Sequence, residues 1–169
     1  NHVVPLRIMI SVQNGRQYLM AYAPRFQRIT SYRIDNIISV KLDEKCERFD
    51  QLRKTLNGML PHMWGVSTQN TSSQRMEHVE FIVSYGEDEF FIHKRLEREK
   101  RCGTVEIIDE HSSKFSADVF DTSELIPWIR TFICRITEIS FSNKELENQF
   151  YDDINTMYQL YGLEGGEAE

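Results

Sequence analysis

Three cysteines in 169 residues, Cys46, Cys102 and Cys134, are odd in number and far apart, and no CxxC pair occurs. That excludes a disulfide scaffold and a zinc knuckle and leaves free thiols as the expectation. The five histidines (His2, His62, His78, His93, His111) lack His-x-x-x-His or carboxylate-flanked spacing, so no metal site is expected. There is no Gly-x-Ser-x-Gly, no phosphate-binding loop and no dinucleotide fingerprint; no cofactor is expected and nothing nominates a nucleophile or a general base. A binding protein is therefore expected rather than an enzyme. No apolar run approaches the roughly 18–20 residues that a membrane span needs. The opening Asn1-His2-Val3-Val4-Pro5 carries neither a signal-peptide pattern nor an initiator Met, so the expectation is a piece of a cytoplasmic protein.

What is present is a chain long enough for one good core or two small ones, with the apolar content of a folded protein. The net charge of −6 argues against a surface coated for duplex DNA, but the charge is uneven. Residues 1–42 carry Arg7, Arg16, Arg25, Arg28, Arg33 and Lys41 against Asp35 alone, a net of +5; residues 109–169 carry a net of −9. An anionic partner should meet the N-terminal segment. The acidic end, residues 164–169, reads as a solvated, frayed tail.

Residues 3–42 read as β structure. A first strand over 4–11 leads to Asn14-Gly15, a strong hairpin signal, and a second strand over 16–23 puts Tyr18, Met20 and Tyr22 on one face. Residues 24–28 form a basic connection, and a long third strand over 29–42 is expected to bend near Asp35-Asn36. Three short strands cannot close a core alone and need an upstream strand, the rest of the chain or a second copy. Phe49, Leu52, Leu56 and Leu60 recur at helical spacing, bounded by Gly58 and Pro61, and the polar run over 67–73 is the expected domain boundary. Beyond it come strands over 79–85, 104–109, 115–120 and 136–141. Helices are expected over 88–98 and 123–134, the second capped by Thr122 or Ser123, and a last one begins at 142–145 and reaches about Tyr161. The order βαββαβ followed by α is that of a ferredoxin-like split βαβ with a C-terminal helix. The predicted class is thus α+β.

Gly15-Arg16-Gln17-Tyr18-Leu19-Met20-Ala21-Tyr22, followed by Tyr32-Arg33-Ile34-Asp35-Asn36-Ile37, resembles the WYL domain, whose signature is Gly-Arg-Trp-Tyr-Leu and then Arg-x-Phe-Arg-Leu-Asp-Arg-Ile. Gln17 stands where that family has Trp, Asn36 where it has Arg, and Thr30 where an Arg often begins the second motif; Arg28 lies two residues from the last. The downstream pattern resembles the WCX extension that accompanies many WYL domains. The resemblance implies a small Sm-like (SH3-like) β-barrel over 1–45, a helical connector and loop over 46–76, and a ferredoxin-like domain over 77–169. It implies a bacterial transcription regulator, homodimeric, whose effector is single-stranded DNA or RNA or a nucleotide-like ligand. Promoter DNA would be met only through a winged helix-turn-helix domain outside this sequence.

Single-stranded nucleic acid is held by cations that track phosphates and aromatic faces that stack on bases. Arg16, Arg28 and Arg33 offer the first and Tyr18, Tyr22 and Tyr32 the second, with Asp35 among them as a pairing partner of Arg33 or Arg16. The competing assignment makes the tyrosines barrel core, Tyr32 first among them, and the arginines solvated strand residues. Effector binding requires the guanidinium groups to converge on one outward concave patch. Lys94, Arg95, Arg98, Lys100 and Arg101 form a second basic cluster that is either a charged helix face or a source of further phosphate contacts. Without a ligand at these places, the chain is a structural dimerisation module with a vestigial site. Trp128 with Leu125, Ile129 and Phe132 reads as a core stripe, and Trp64 as the anchor of the connector.

Overall fold

The computed structural model describes residues 2–12, 14–68 and 76–162. β-Branched and aromatic residues at alternate positions build a first antiparallel sheet from β1 (Val4–Ile10), β2 (Gln17–Ala23) and β3 (Arg28–Arg33), in the order β1-β2-β3. Gly15, at φ +68°, turns the first hairpin, where the Ser11 amide donates to the Arg16 carbonyl. Opposed residues share a face. Tyr18, Met20 and Tyr22 therefore lie with Arg33, Ser31 and Ile29, whereas Leu19 and Ala21 lie with Tyr32, Thr30 and Ile8. Helix α1 (Phe49–Met59) covers the first of these faces: Leu56 packs with Met20, Ile29 and Met63, flanked by Leu6, Met9 and Tyr22. Gly58 lies inside this helix rather than at its boundary.

The sheet is open among the described residues, and the long third strand is not formed. β3 stops at Arg33, a 3₁₀ turn Ile34–Asn36 follows, and residues 37–46 run on without strand pairing. β-Propensity at Ile37, Ile38 and Val40 is spent on no ladder, because propensity describes fit to a pleated neighbour and here none is present.

The second sheet is antiparallel and ordered β5-β6-β4-β7, from β4 (Glu77–Ser84), β5 (Thr104–Asp109), β6 (Ser112–Val119) and β7 (Ile136–Phe141). Val79, Phe81 and Val83 of β4, with Phe115, Ala117 and Val119 of β6, form its buried face. Against them pack Ile92 and Leu96 of α2 (Phe91–Glu99), Leu125, Ile129 and Phe132, and Phe150 of α4 (Lys144–Leu160). The expected helix over 123–134 is broken into 3₁₀ turns around one α turn, α3 (Ile126–Ile129), because Pro127 cannot donate within it. Its cap is Asp121, which accepts from the Ser123 amide at 3.0 Å, in place of Thr122 or Ser123. α4 begins under Asn143, which accepts from the Leu146 amide, and ends before Gly162 at φ +68°. No helix among the described residues is long and apolar enough to cross a membrane.

The connector binds both halves. Trp64 is 3% exposed, its ring 4.7 Å from Trp128 and edge-on to Phe115. The Glu124 carboxylate accepts the amides of Gly65 (2.9 Å), Val66 (3.0 Å) and Ser67 (3.2 Å). The Thr68 hydroxyl donates to the Ile29 carbonyl of β3 at 3.0 Å. The expected loop over 67–73 therefore starts as an anchored segment; its residues 69–73, like the acidic tail 164–169, lie outside the described residues.

Candidate functional site

Four of the seven candidate residues meet at one end of the first sheet. β2 and β3 set Tyr18 opposite Arg33, and the turn after β3 brings Asp35 back onto the Arg33 guanidinium, Nε to Oδ1 at 3.0 Å and Nη2 to Oδ2 at 2.5 Å. This two-toothed pair holds the Asp35 carboxyl below its usual range, and Arg16 lowers it further. Its hydrogen bond and charge in turn raise Arg33, with a smaller contribution from Tyr18. Arg16, at the start of the hairpin, remains exposed.

The other three lie elsewhere. Arg28 sits at the opposite end of β3, roughly 17 Å from Arg33 at strand spacing, and on the opposite face, since five residues separate them. Tyr32 shares Arg28's face and is half-buried, not core. Tyr22 is partly buried and packs against the core cluster of Met20 and Ile29, with Arg48 5.9 Å over its ring. The guanidinium groups thus do not converge on one patch, and one of them is neutralised by its own chain. A three-stranded sheet has two faces and two ends, and alternation along β3 divides the candidates among them.

The second basic cluster divides similarly. Arg95 pairs with Glu99, donates to the Thr131 hydroxyl at 2.8 Å and lies 4.3 Å over Phe132. Arg101 donates to the Trp64 carbonyl at 3.0 Å and covers its ring. Lys100 pairs with Glu97, Lys94 rests over Phe90 and Arg98 reaches Glu99. Arg95 and Arg101 are brackets between elements; Lys94 and Arg98 lie on α2, and Lys100 and Arg101 follow its end.

The basic connection over 24–28 carries a feature that the seven candidates omit. Phe26 is 56% exposed at the tip of the β2–β3 turn, with the Arg25 and Arg28 guanidinium groups 5.6 and 5.7 Å from its ring centre. Gln27 holds φ 51°, in the left-handed region that non-glycine residues seldom occupy. The signal was an aromatic residue interleaved with arginines, legible in Arg25-Phe26-Gln27-Arg28.

One buried polar chain resembles a relay: the Ser113 hydroxyl lies 2.8 Å from the Tyr85 hydroxyl and 3.0 Å from His93 Nδ1. Ser113 is fully buried, and its hydroxyl satisfies the polar groups of Tyr85 and His93 around it. Burial pushes the Cys102 thiol up to about 11, which keeps it protonated and unreactive. Among the described residues no three His, Cys, Asp or Glu side chains group as metal ligands do.

Against these geometries, no protein-family model and no curated protein matches the sequence.

Proposed function

We propose that this chain is the self-association module of a bacterial transcription regulator of WYL type, an assembly protein rather than an enzyme. The observation that carries this is the apolar surface left open on both halves. On the first half Ile8, Ile10, Val12, Ile38, Val40 and Leu42 are exposed; on the second, Tyr151 borders an apolar cleft with Ile136, Ile139 and Ile154, and Tyr158, Leu160 and Tyr161, further along α4 and at its end, are exposed. Large apolar side chains left exposed in such number are the material of protein–protein contacts. The WYL assignment draws on the paired motifs around Tyr18-Leu19 and Arg33-Ile34-Asp35. The order β5-β6-β4-β7, with the helices packed on one face, supports a ferredoxin-like second domain. Sedimentation of the 169-residue chain at micromolar concentration tests the proposal. Twice the monomer mass is expected, and a monomer at every concentration would overturn it.

A second role, effector binding, is favoured by the Arg25–Phe26–Arg28 turn, which offers two cations and a ring at the tip of the basic half. Short single-stranded oligonucleotides, titrated by anisotropy, should bind with an affinity that falls as salt rises. Binding should be lost on Phe26→Ala with Arg28→Ala and retained on Arg33→Ala. Equal binding by all three proteins removes this role.

A further inference from the structure

Residues 37–42 form an extended arm with a two-residue repeat: Ile38 is fully exposed, and Val40 and Leu42 are 86% and 95% exposed, with no strand partner among the described residues. The Ile37 amide closes the 3₁₀ turn on the Ile34 carbonyl, and from Ile38 onward no strand ladder uses the peptide groups and the apolar side chains stand exposed, which is the composition of a strand awaiting a sheet edge. The first sheet has such an edge. β1 is terminal in the order β1-β2-β3, and on it Ile8 and Ile10, followed by Val12, stand at alternate positions and are each more than half exposed. Pro5, which has no amide to donate, lies before this row, so the free ladder runs from Leu6 onward.

The other edges are less suited. The Thr68 hydroxyl occupies the Ile29 carbonyl of β3, and the Tyr151 hydroxyl reaches the Ile139 carbonyl of β7. On β5 the exposed pair Ile107 and Ile108 is consecutive, so its members point to opposite faces. The arm does not use β1 of its own chain. It leaves β3 through the 3₁₀ turn, and its far end is tied at Asp43 to His2, 3.1 Å away at the start of β1, with no ladder between.

We infer that the occupant is a second copy: the arm of each chain adds as a strand to the β1 edge of its partner. This rests on the self-association proposed above and names its surface. Three observations select the second copy. Donor and acceptor are of similar length, residues 37–42 against the part of β1 from Leu6 to Ile10, and have the same apolar alternation. Both are on one module, so two copies exchange arms about a two-fold axis and leave neither donor nor edge open. Two strand additions also make two rows of apolar side chains meet, which brings the contact toward the roughly 1,000 Å² that a specific interface requires.

The test uses the 169-residue chain. Ile38→Asp with Val40→Asp changes side chains that are exposed in the single chain, so the helical signal should stay as in the parent. The dimer dissociation constant should rise roughly 100-fold or more, as when a charge is forced into an apolar contact. Independently, Ile10→Cys with Val40→Cys, oxidised under mild conditions with Cys46, Cys102 and Cys134 replaced by Ser, should give a covalent dimer on a non-reducing gel. A parent dimer that the aspartates leave intact refutes the arm exchange while self-association stands. A cross-link confined to single chains refutes the exchange likewise. A parent that is monomeric throughout ends both.

Discussion

Glu124 holds the connector, and removing its carboxylate should release residues 65–67 from the second domain. Three amides converge on two oxygens at 2.9–3.2 Å. Hydrogen bonds to a charged acceptor contribute about 1.5–3 kcal/mol each, but this site is half-buried and water can replace part of what is lost. Burial opposes ionisation and raises the carboxyl's pKa, with the three amides acting in the other direction. The balance for Glu124→Ala is a destabilisation of about 2–3 kcal/mol, or roughly 5–10 °C in Tm for a chain of this size. Gly65→Ala should reproduce part of it, because the added Cβ meets the Glu124 carboxylate itself. Urea unfolding followed by tryptophan fluorescence is the assay, since Trp64 adjoins the anchored amides and lies against Trp128. The sign with pH is also determined. A carboxyl whose folded pKa is raised binds its proton more tightly in the folded state, so its contribution is most favourable below the unfolded value and is lost as pH rises through the folded value. Glu124→Gln should abolish that component. A loss below about 0.5 kcal/mol in Glu124→Ala, within the range of ordinary surface changes, would refute the account of the connector.

Glu89 behaves oppositely. Two hydrogen bonds of 2.6 Å from Arg135, with the Gly86 amide, hold it down to about 2, so the stability it contributes is complete above the usual Glu range and disappears as pH falls through about 2. Glu89→Gln should flatten the acid limb of the stability–pH curve, and an unchanged limb would assign acid sensitivity to other carboxylates. Leu56→Ala, which removes the one fully buried side chain of α1, should cost about 2–5 kcal/mol by denaturant unfolding; a smaller loss would mean that α1 is loosely held on the sheet. At pH 8 an aromatic disulfide reagent should modify exposed Cys134 rapidly and Cys102 slowly, since the latter's thiol sits at about 11, and equal rates would contradict its burial.

Residues 77–141 were the most legible, because the apolar repeats that build the buried face of the second sheet have their partners within the chain. The period-2 run Val79-Phe81-Val83 faces Phe115 and Phe141, so local pattern and tertiary packing agree, and β5 and β7 occupy their expected residues. The helix over 123–134 was misread where Pro127 and Asp121 governed the chain more strongly than its apolar stripe. The residues of the candidate site were legible one by one, as arginines and tyrosines in a basic segment, and so was the pairing of Asp35 with Arg33 or Arg16, but not the separation of Arg28, Tyr22 and Tyr32 from them.

By itself the sequence determined the division into a basic β segment and an acidic αβ segment, the periods of the strands and helices, and the aromatic anchors. These depend on side-chain chemistry and spacing along one chain. The sequence offered Arg33 or Arg16 as the partner of Asp35, and the turn after β3 selected Arg33; tertiary structure alone decided that Arg28 stands at the far end and on the other face, and that residues 37–42 leave the sheet unpaired. Each of these turns on register and on which neighbour is present. A strand's propensity is the same whether or not an edge lies beside it, and a guanidinium's charge is the same whether it meets a carboxylate or solvent.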